Sequence, residues 1–528
     1  MGVGTEFDVV VAGMGPIGAA MALALADEGL NVVVIEPSPL SFDKPRAIGI
    51  DHDALRLLQR FGVMDQVEPT LGEYQPSEYR SAAGQVLRRI LPQPTPHPQA
   101  WPPYSTFVQP ELEAVLRQAC AANPRIDLRL GWLVKGVAET GGGVDVVIEA
   151  VDDHHSVRTV RGKYLVACDG ARSPVREALG GQLEDLEFDE QWLVVDVIVD
   201  DGAHLPEVTV QYCNAQRPAT YIAGPKAMRR WEIMLLPGED GAEIAREKKV
   251  WELLSPWLRP DQGKLWRAAS YRFHALVARQ WQWDRVFLAG DAAHQTPPFM
   301  AQGLNQGFRD VANLAWKIGA VLRHGAAQDI LESYTEERRP NVTAVIALTK
   351  QLGQIICECD PARVAERDRV MLAEMAEGRG EIVRQDMLPA LLPGSLVMAG
   401  ERFGRGAGTT FPQPMIHHGS GLARMDDIAG CSFQLFVTTS HGAVPDITGI
   451  DVLHVGTAQG AGVLQETDGI VAQWFARHGV CAALVRPDRV VFGTAVSADD
   501  TPELAAELLQ AMGMAECLDG PLQAAGQD

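Results

Sequence analysis

Gly13-Met14-Gly15-Pro16-Ile17-Gly18 sets three glycines in a G-x-G-x-x-G spacing, and Glu36 ends the apolar run that follows. This pattern suits a diphosphate brought close to backbone N–H groups. Gly13 permits a tight turn, Gly15 leaves room for the pyrophosphate, and Gly18 lets helix and strand pack closely. A carboxylate at Glu36 accepts hydrogen bonds from ribose hydroxyls and repels a 2′-phosphate. The set points to the adenosine half of FAD or NAD, not NADP. Two further turns place an acid beside a glycine. Asp169-Gly170 lies in "VACDGARSPVREALG" with Arg172 and Arg176, and Gly290-Asp291 opens "GDAAHQTPP". A simple NAD dehydrogenase does not need them. A flavin needs its ribityl chain and pyrophosphate anchored, and Asp291 suits hydroxyl recognition. Gly303-Leu304-Asn305 starts a helix whose N–H groups and positive dipole end suit the flavin pyrimidine edge.

The elements that must hold these turns follow the same order. Residues 7–12 read as a buried strand. An Ala-rich helix runs from the glycines to about Glu28, Gly29 caps it, and Asn31–Ile35 is a second buried strand. Apolar strands precede both the Asp169 and the Asp291 turns, and helices are expected over Gly307–His324 and Ile330–Thr349. Between the two turns, "QWLVVDVIVD", "EVTVQYC", "ATYIAG" and "RRWEIMLLP" read as strands of a mixed sheet roofing the flavin. Phenolic or charged groups pointing inward from it would need a partner, which makes Tyr212, Arg217, Tyr221 and Arg230 candidates for substrate contact. An arginine can bind a substrate carboxylate bidentately. The plain alternative for each is a solvated strand position. His52, in "DHDAL", has the right ordinary pKa to take a phenol proton; its alternative is a first-turn helix residue between capping Asp51 and Asp53. His294 is expected to brace the Asp291 loop, and Trp281–Trp283 to pack in the core.

Composition narrows the class. The 528 residues carry 46 basic and 68 acidic side chains, a net charge of −22. That argues against a nucleic-acid or anionic-membrane partner. The eight cysteines form no C-x-x-C and no metal-ligand spacing, which fits reduced thiols and a cytoplasmic location. No apolar run reaches the roughly 20 residues of a spanning helix, and no basic region precedes the first apolar stretch. Residues 387–414, rich in Gly and Pro, read as a linker. Beyond it, "SFQLFVTT", "IDVLHVG", "DGIVAQWFARHG", "CAALVRPDRVVFG" and "ADDTPELAAELLQAMG" alternate strands and helices. The tail from Leu518 is expected to be disordered.

"GMGPIG", "CDGARSP" and "GDAAHQTPP", in this order, resemble the group A flavoprotein aromatic hydroxylases over about residues 7–345, and "PRAIGI", "FVQPELEAVL" and "YTEERRP" add to the likeness. "PRAIGIDHDALRLLQRFGVMDQV", "YLVACDG", "RRWEIMLLPGE" and "LVRPDRVV" are similar, more narrowly, to the branch acting on 3-(3-hydroxyphenyl)propionate. The resemblance implies an α/β fold: a Rossmann-type FAD-binding domain (1–180 and 270–345), an inserted mixed β-sheet substrate domain (181–269), a helical segment and linker (346–414), and a thioredoxin-like C-terminal domain (415–517). It implies FAD contacts at Gly13, Gly15, Gly18, Glu36, Arg46, Gln109, Asp291, Gly303, Leu304 and Asn305. It links Asp169 to both the FAD and NAD(P)H sites and puts the carbonyl of Pro298 against flavin and substrate. Arg217 and Arg230 are favoured for the substrate. The implied reaction is hydroxylation of a phenolic ring, such as a 3-hydroxyphenylpropionate-like acid. NADH or NADPH reduces FAD, and dioxygen gives a flavin C4a-hydroperoxide. The coenzyme docks transiently, because no second complete G-x-G-x-x-G is present. Phe299-Met300-Ala301 departs from the glycine that family members often carry before "QG-x-N". The C-terminal domain, lacking C-x-x-C, reads as structural or dimerising, with a homodimer as the assembly it allows. A flavin enzyme tailoring or epoxidising a polyketide aromatic, and a non-catalytic flavin sensor, are the competing readings.

Overall fold

The computed structural model describes residues 6–439, 447, 449–458, 460 and 462–514. Its first sheet runs in the order Ile126–Leu130, Val32–Glu36, Glu6–Ala12, Val157–Ala167, Gly143–Ala150, Trp132–Thr140, and Val286–Leu288 pairs with Val157–Ala167. Glu6–Ala12 lies parallel to both neighbours. A parallel pair needs a crossover, supplied here by the helix Pro16–Asp27 (α1). Strands covered on both faces read as unbroken apolar runs, which is why Val9, Val10, Val11, Val32, Val33 and Val34 are all fully buried. The helix Gly303–Arg323 (α2) packs on α1 at close range: a Cβ on Gly307 would lie 2.6 Å from Ile17 Cδ1. The helix Glu332–Cys357 (α3) follows, longer than the expected 330–349.

The roof is a nine-stranded sheet in the order His294–Gln295, Gly263–Ala278, Leu183–Val199, Met228–Met234, Ala219–Ala223, Thr209–Cys213, Ser77–Ser81, Val86–Leu91, Glu381–Val383. This sheet is not confined to residues 181–269. It takes strands from 77–91 and 381–383 as well, short charged segments whose pattern does not announce a strand. One face of this sheet is apolar. Leu193, Val195, Tyr221, Trp231 and Ile233 form a core there with Ile244, Val250 and Leu254 of the short helices Gly241–Ile244 and Glu247–Leu254. The other face, turned toward the first domain, carries Thr209, Gln211, Thr220 and Glu232.

The C-terminal sheet runs Val463–Gln465, Asp451–Gly456, Gln434–Thr438, Ala482–Val485, Val491–Ala495, parallel in its first three strands and antiparallel in its last two pairings. Helices Ile470–His478 and Thr501–Ala511 accompany it. A buried ion network fastens it to the body. Arg486 donates to both oxygens of Glu337 in α3, at 2.7 and 2.9 Å, and Lys317 of α2 donates to Glu337 Oε2 at 2.9 Å. Burial alone would raise the Glu337 carboxyl, but Arg486 and Lys317 outweigh it and hold its pKa at about 2. The tail from Leu518 lies outside the described residues. Among those described, no single helix is long and apolar enough to cross a membrane.

Candidate active site

The glycine loop has one filled side and one open side. Gly13 sits at φ +95°, and a Cβ there would lie 2.4 Å from the Cys168 carbonyl oxygen. A Cβ on Gly18 would lie 2.0 Å from the Gly13 carbonyl oxygen, yet one on Gly15 would meet nothing within 4 Å. The space at Gly15 faces the start of α1, where Pro16 stands in the first turn and no side chain caps the N-terminus. Those first N–H groups remain available to an anion. Glu36 accepts from Met14 N at 2.6 Å through Oε2 and from Ser38 N at 2.8 Å through Oε1. Each oxygen keeps a lone pair for a ribose hydroxyl.

The two acid-bearing turns are tied to each other. Arg176 donates to the carbonyls of Ala292 (2.8 Å) and Ala171 (2.9 Å), bridging the Asp169 and Asp291 turns. Asp169 accepts from Val175 N at 3.1 Å, and its other oxygen is buried without a partner. Burial raises its pKa against the pull of Ser173 and Val175. Asp291 is exposed, but the protein crowding around it pushes its carboxyl up, opposed by His294 and Arg46. Behind it stands a carboxylate that the sequence reading missed. Asp310 accepts from Gly290 N (3.0 Å) and His294 Nε2 (2.7 Å) through one oxygen and from Arg338 Nε (2.9 Å) through the other. His294 thus braces the loop, as expected, and Trp281 stacks on it at 5.4 Å.

Gln109 fixes the segment around Arg46 by accepting from Arg46 N (3.1 Å) and Ala47 N (2.7 Å), while Glu113 accepts from Gln109 Nε2 (2.8 Å). Asn305 is fully buried; it accepts from Asp51 N at 3.0 Å and donates to Ala301 O at 2.8 Å. Gly303 and Leu304 begin α2, whose N-terminus has no side-chain cap. Ala301 holds φ +46°. The left-handed turn that favours glycine is therefore kept here by an alanine, at a cost of about 1 kcal/mol.

A cavity of about 40 Å³ adjoins this turn. Its walls include Pro298, Tyr104, Gln211, Thr220, Glu232 and Arg384. Pro298 lines it. The expected substrate residues do not. Tyr221 and Tyr212 point to the opposite face of the sheet, where Tyr221 donates to Pro206 O and Tyr212 packs on Trp257 at 5.2 Å. Arg217 is bound bidentately by Glu239, at 2.7 and 2.8 Å. Arg230 is buried on Asp196 (2.7 and 3.1 Å) and donates to the carbonyls of Arg46 (2.7 Å) and Pro45 (3.1 Å). It props the Arg46 segment instead of lining the cavity. His52 is also displaced. It opens the helix His52–Arg60, capped by Asp51, and lines a different cleft with Asp53, Arg56 and Arg309. The alternation that puts Tyr221 and Trp231 outside puts Thr220 and Glu232 inside. A lone acid in "RRWEIMLLP" was the signal for the inward face.

Residues 6–349 match the model of a family described as FAD binding domain. The chain belongs to this family. In this FAD-binding protein the residues fit the cofactor: an open cradle at Gly15, an unpaired buried oxygen on Asp169, two uncapped helix N-termini and an exposed Asp291 carboxyl. Residues 408–511 match the HcaD C-terminal domain. The chain is 34% identical over 520 residues (96% of this chain, 95% of the relative) to a probable NADH-specific resorcinol 4-hydroxylase of Rhodococcus jostii (strain RHA1). It is 32% identical over 511 residues (92% of each) to 3-(3-hydroxy-phenyl)propionate/3-hydroxycinnamic acid hydroxylase 2 of Burkholderia vietnamiensis (strain G4 / LMG 22486). Among solved structures, it is similar to the flavin-dependent monooxygenase PieE in complex with FAD and substrate, at a TM-score of 0.79 and 20% identity, covering 97% of this chain and 100% of that one. Aklavinone-11 hydroxylase with FAD and aklavinone gives 0.76 at 24% identity, covering 96% and 99%. These two likenesses bear on the fold of the FAD-binding protein.

Proposed function

We propose that this protein is an FAD-dependent monooxygenase that uses NADH and O2 to hydroxylate a small, single-ring phenol. The observation that carries the reading is the cavity that Gln211, Thr220 and Glu232 line together with Pro298, beside the uncapped start of α2. When bound, FAD supplies hydride acceptance and oxygen activation. The chain's own residues do the rest. The Gly15 cradle and Glu36 hold the nucleotide, and Asp291 holds the chain leading to the ring. The N-terminus of α2 favours negative charge on the flavin's pyrimidine edge. Phe299 and Met300, both buried, keep water from the reacting face. Gln211 and Thr220, bonded to each other across adjacent strands, offer hydrogen bonds to a substrate hydroxyl. NADH is favoured by the name of the resorcinol relative. Resorcinol and 3-(3-hydroxyphenyl)propionate are both single phenolic rings, which favours that substrate class over fused polyketides.

The test is a panel of resorcinol, 3-(3-hydroxyphenyl)propionate and fused-ring phenols with purified, FAD-loaded protein. NADH oxidation and incorporation of ¹⁸O from ¹⁸O2 are followed together. Labelled product from a single-ring phenol is expected. NADH consumption that no phenol stimulates, with no labelled product, would overturn the reading; labelled product only from fused rings would move it to the polyketide class.

A further inference from the structure

Glu232 stands out among the cavity walls. It sits in the strand Met228–Met234, opposite Thr220 on one side and Val194 on the other, and is only 6% exposed. Every other buried charge around it has a mate. Asp196 holds Arg230 at 2.7 Å and lies 3.6 Å from Arg267, which also donates to Pro45 O and to the Tyr271 hydroxyl. Arg384 donates to Met300 O and stacks on the Tyr104 ring at 4.0 Å. The Glu232 carboxyl accepts no hydrogen bond from any described residue. A buried carboxylate without a partner is expensive, so its oxygens call for a hydroxyl from outside the chain.

We propose that Glu232 is the catalytic base that takes the phenolic proton of the bound substrate. This rests on the hydroxylase reading. The phenol O–H bond breaks and a Glu232 carboxyl O–H forms. The electron pair stays on the phenolate oxygen and enriches the ring carbons ortho and para to it. After oxygen has been transferred, that proton returns to the same oxygen as the ring loses its C–H hydrogen to solvent and regains aromaticity. The charged and titratable groups facing Glu232 leave it this task. Asp196, Arg230 and Arg267 are bound to one another, Arg384 can only donate, and burial keeps the Tyr104 phenol protonated. Burial raises the Glu232 pKa to about 7 despite Arg230. The carboxylate form, the only one able to accept a proton, therefore grows as pH rises through neutrality.

The experiment uses the FAD-loaded full chain with resorcinol as probe. Wild-type product formation is measured first, since its absence with every phenol defeats the hydroxylase reading itself. With wild type active, Glu232→Gln is expected to keep its FAD and its substrate-free NADH oxidation. Coupled hydroxylation should fall about 100-fold or more, and the acid limb of the rate profile near neutrality should vanish. Glu232→Asp should retain that limb at a lower rate. Glu232→Gln hydroxylating within about threefold of wild type, with the limb unchanged, overturns the proposal. Should Glu232→Gln fail to fold, wild type decides: the absorbance of bound resorcinolate must rise through about pH 7, and no rise overturns the assignment.

Discussion

At the scale of single residues, the glycine loop separates two kinds of necessity. Gly18→Ala drives a methyl to 2.0 Å from the Gly13 carbonyl. Its expected cost is about 1–3 kcal/mol of fold stability, read as a lower melting temperature without cofactor. Gly15→Ala meets nothing in the chain, so its cofactor-free melting temperature should match wild type while FAD affinity falls about 10-fold or more. Asp291→Ala removes an exposed acceptor; FAD binding followed by flavin fluorescence should weaken about 10- to 100-fold, from about 1.5–3 kcal/mol for a hydrogen bond to a charged group. Residues of this kind were legible because a dinucleotide turn demands particular residue types at particular steps. Asp310 was not. Its role is to hold Gly290, His294 and Arg338 together from behind, and a helix-borne Asp carries no local mark of that.

At the scale of elements, the strands of the roof were recognised, but Tyr212 and Tyr221, expected to point inward, face outward. Large aromatic and basic residues looked like substrate groups. In the structure Tyr221 and Trp231 pack an outer core under two short helices, and the small polar residues between them face the cavity. Alternation fixes which residues share a face, and only the tertiary layer decides which face is inward. The same limit hid Arg384, which arrives from a segment read as helix and linker. Asp310 links three elements: the turn after Val286–Leu288, α2 and α3. Asp310→Ala would leave Arg338 buried without its carboxylate. The expected loss is about 3–5 kcal/mol of stability, with weaker FAD retention, measured by denaturant unfolding with and without cofactor.

At the scale of the whole molecule, the C-terminal domain is held by charge as well as by packing. Glu337 has a folded pKa of about 2 against an ordinary 4.5. A lowered acid stabilises the fold fully above 4.5, and that contribution is lost as pH falls toward 2. Lys317, lowered by burial from 10.5 to about 8, acts with the opposite balance: its charged form is disfavoured in the fold, so its cost is relieved as pH rises from 8 toward 10.5. Glu337→Gln should therefore lower the urea midpoint at pH 7 and flatten its decline in acid, leaving unfolding at about pH 3 closer to wild type. The nine-stranded sheet has a consequence for how the protein is made. The Val86–Leu91 strand finds its outer neighbour only at Glu381–Val383, with Arg89 and Glu381 lying 292 positions apart. On a ribosome adding about 5–20 residues per second, the nucleotide-gripping turns are all translated while that sheet margin is still bare. Nascent chains pass through an interval in which that open strand margin invites pairing with other chains until residues 381–383 arrive to cover it.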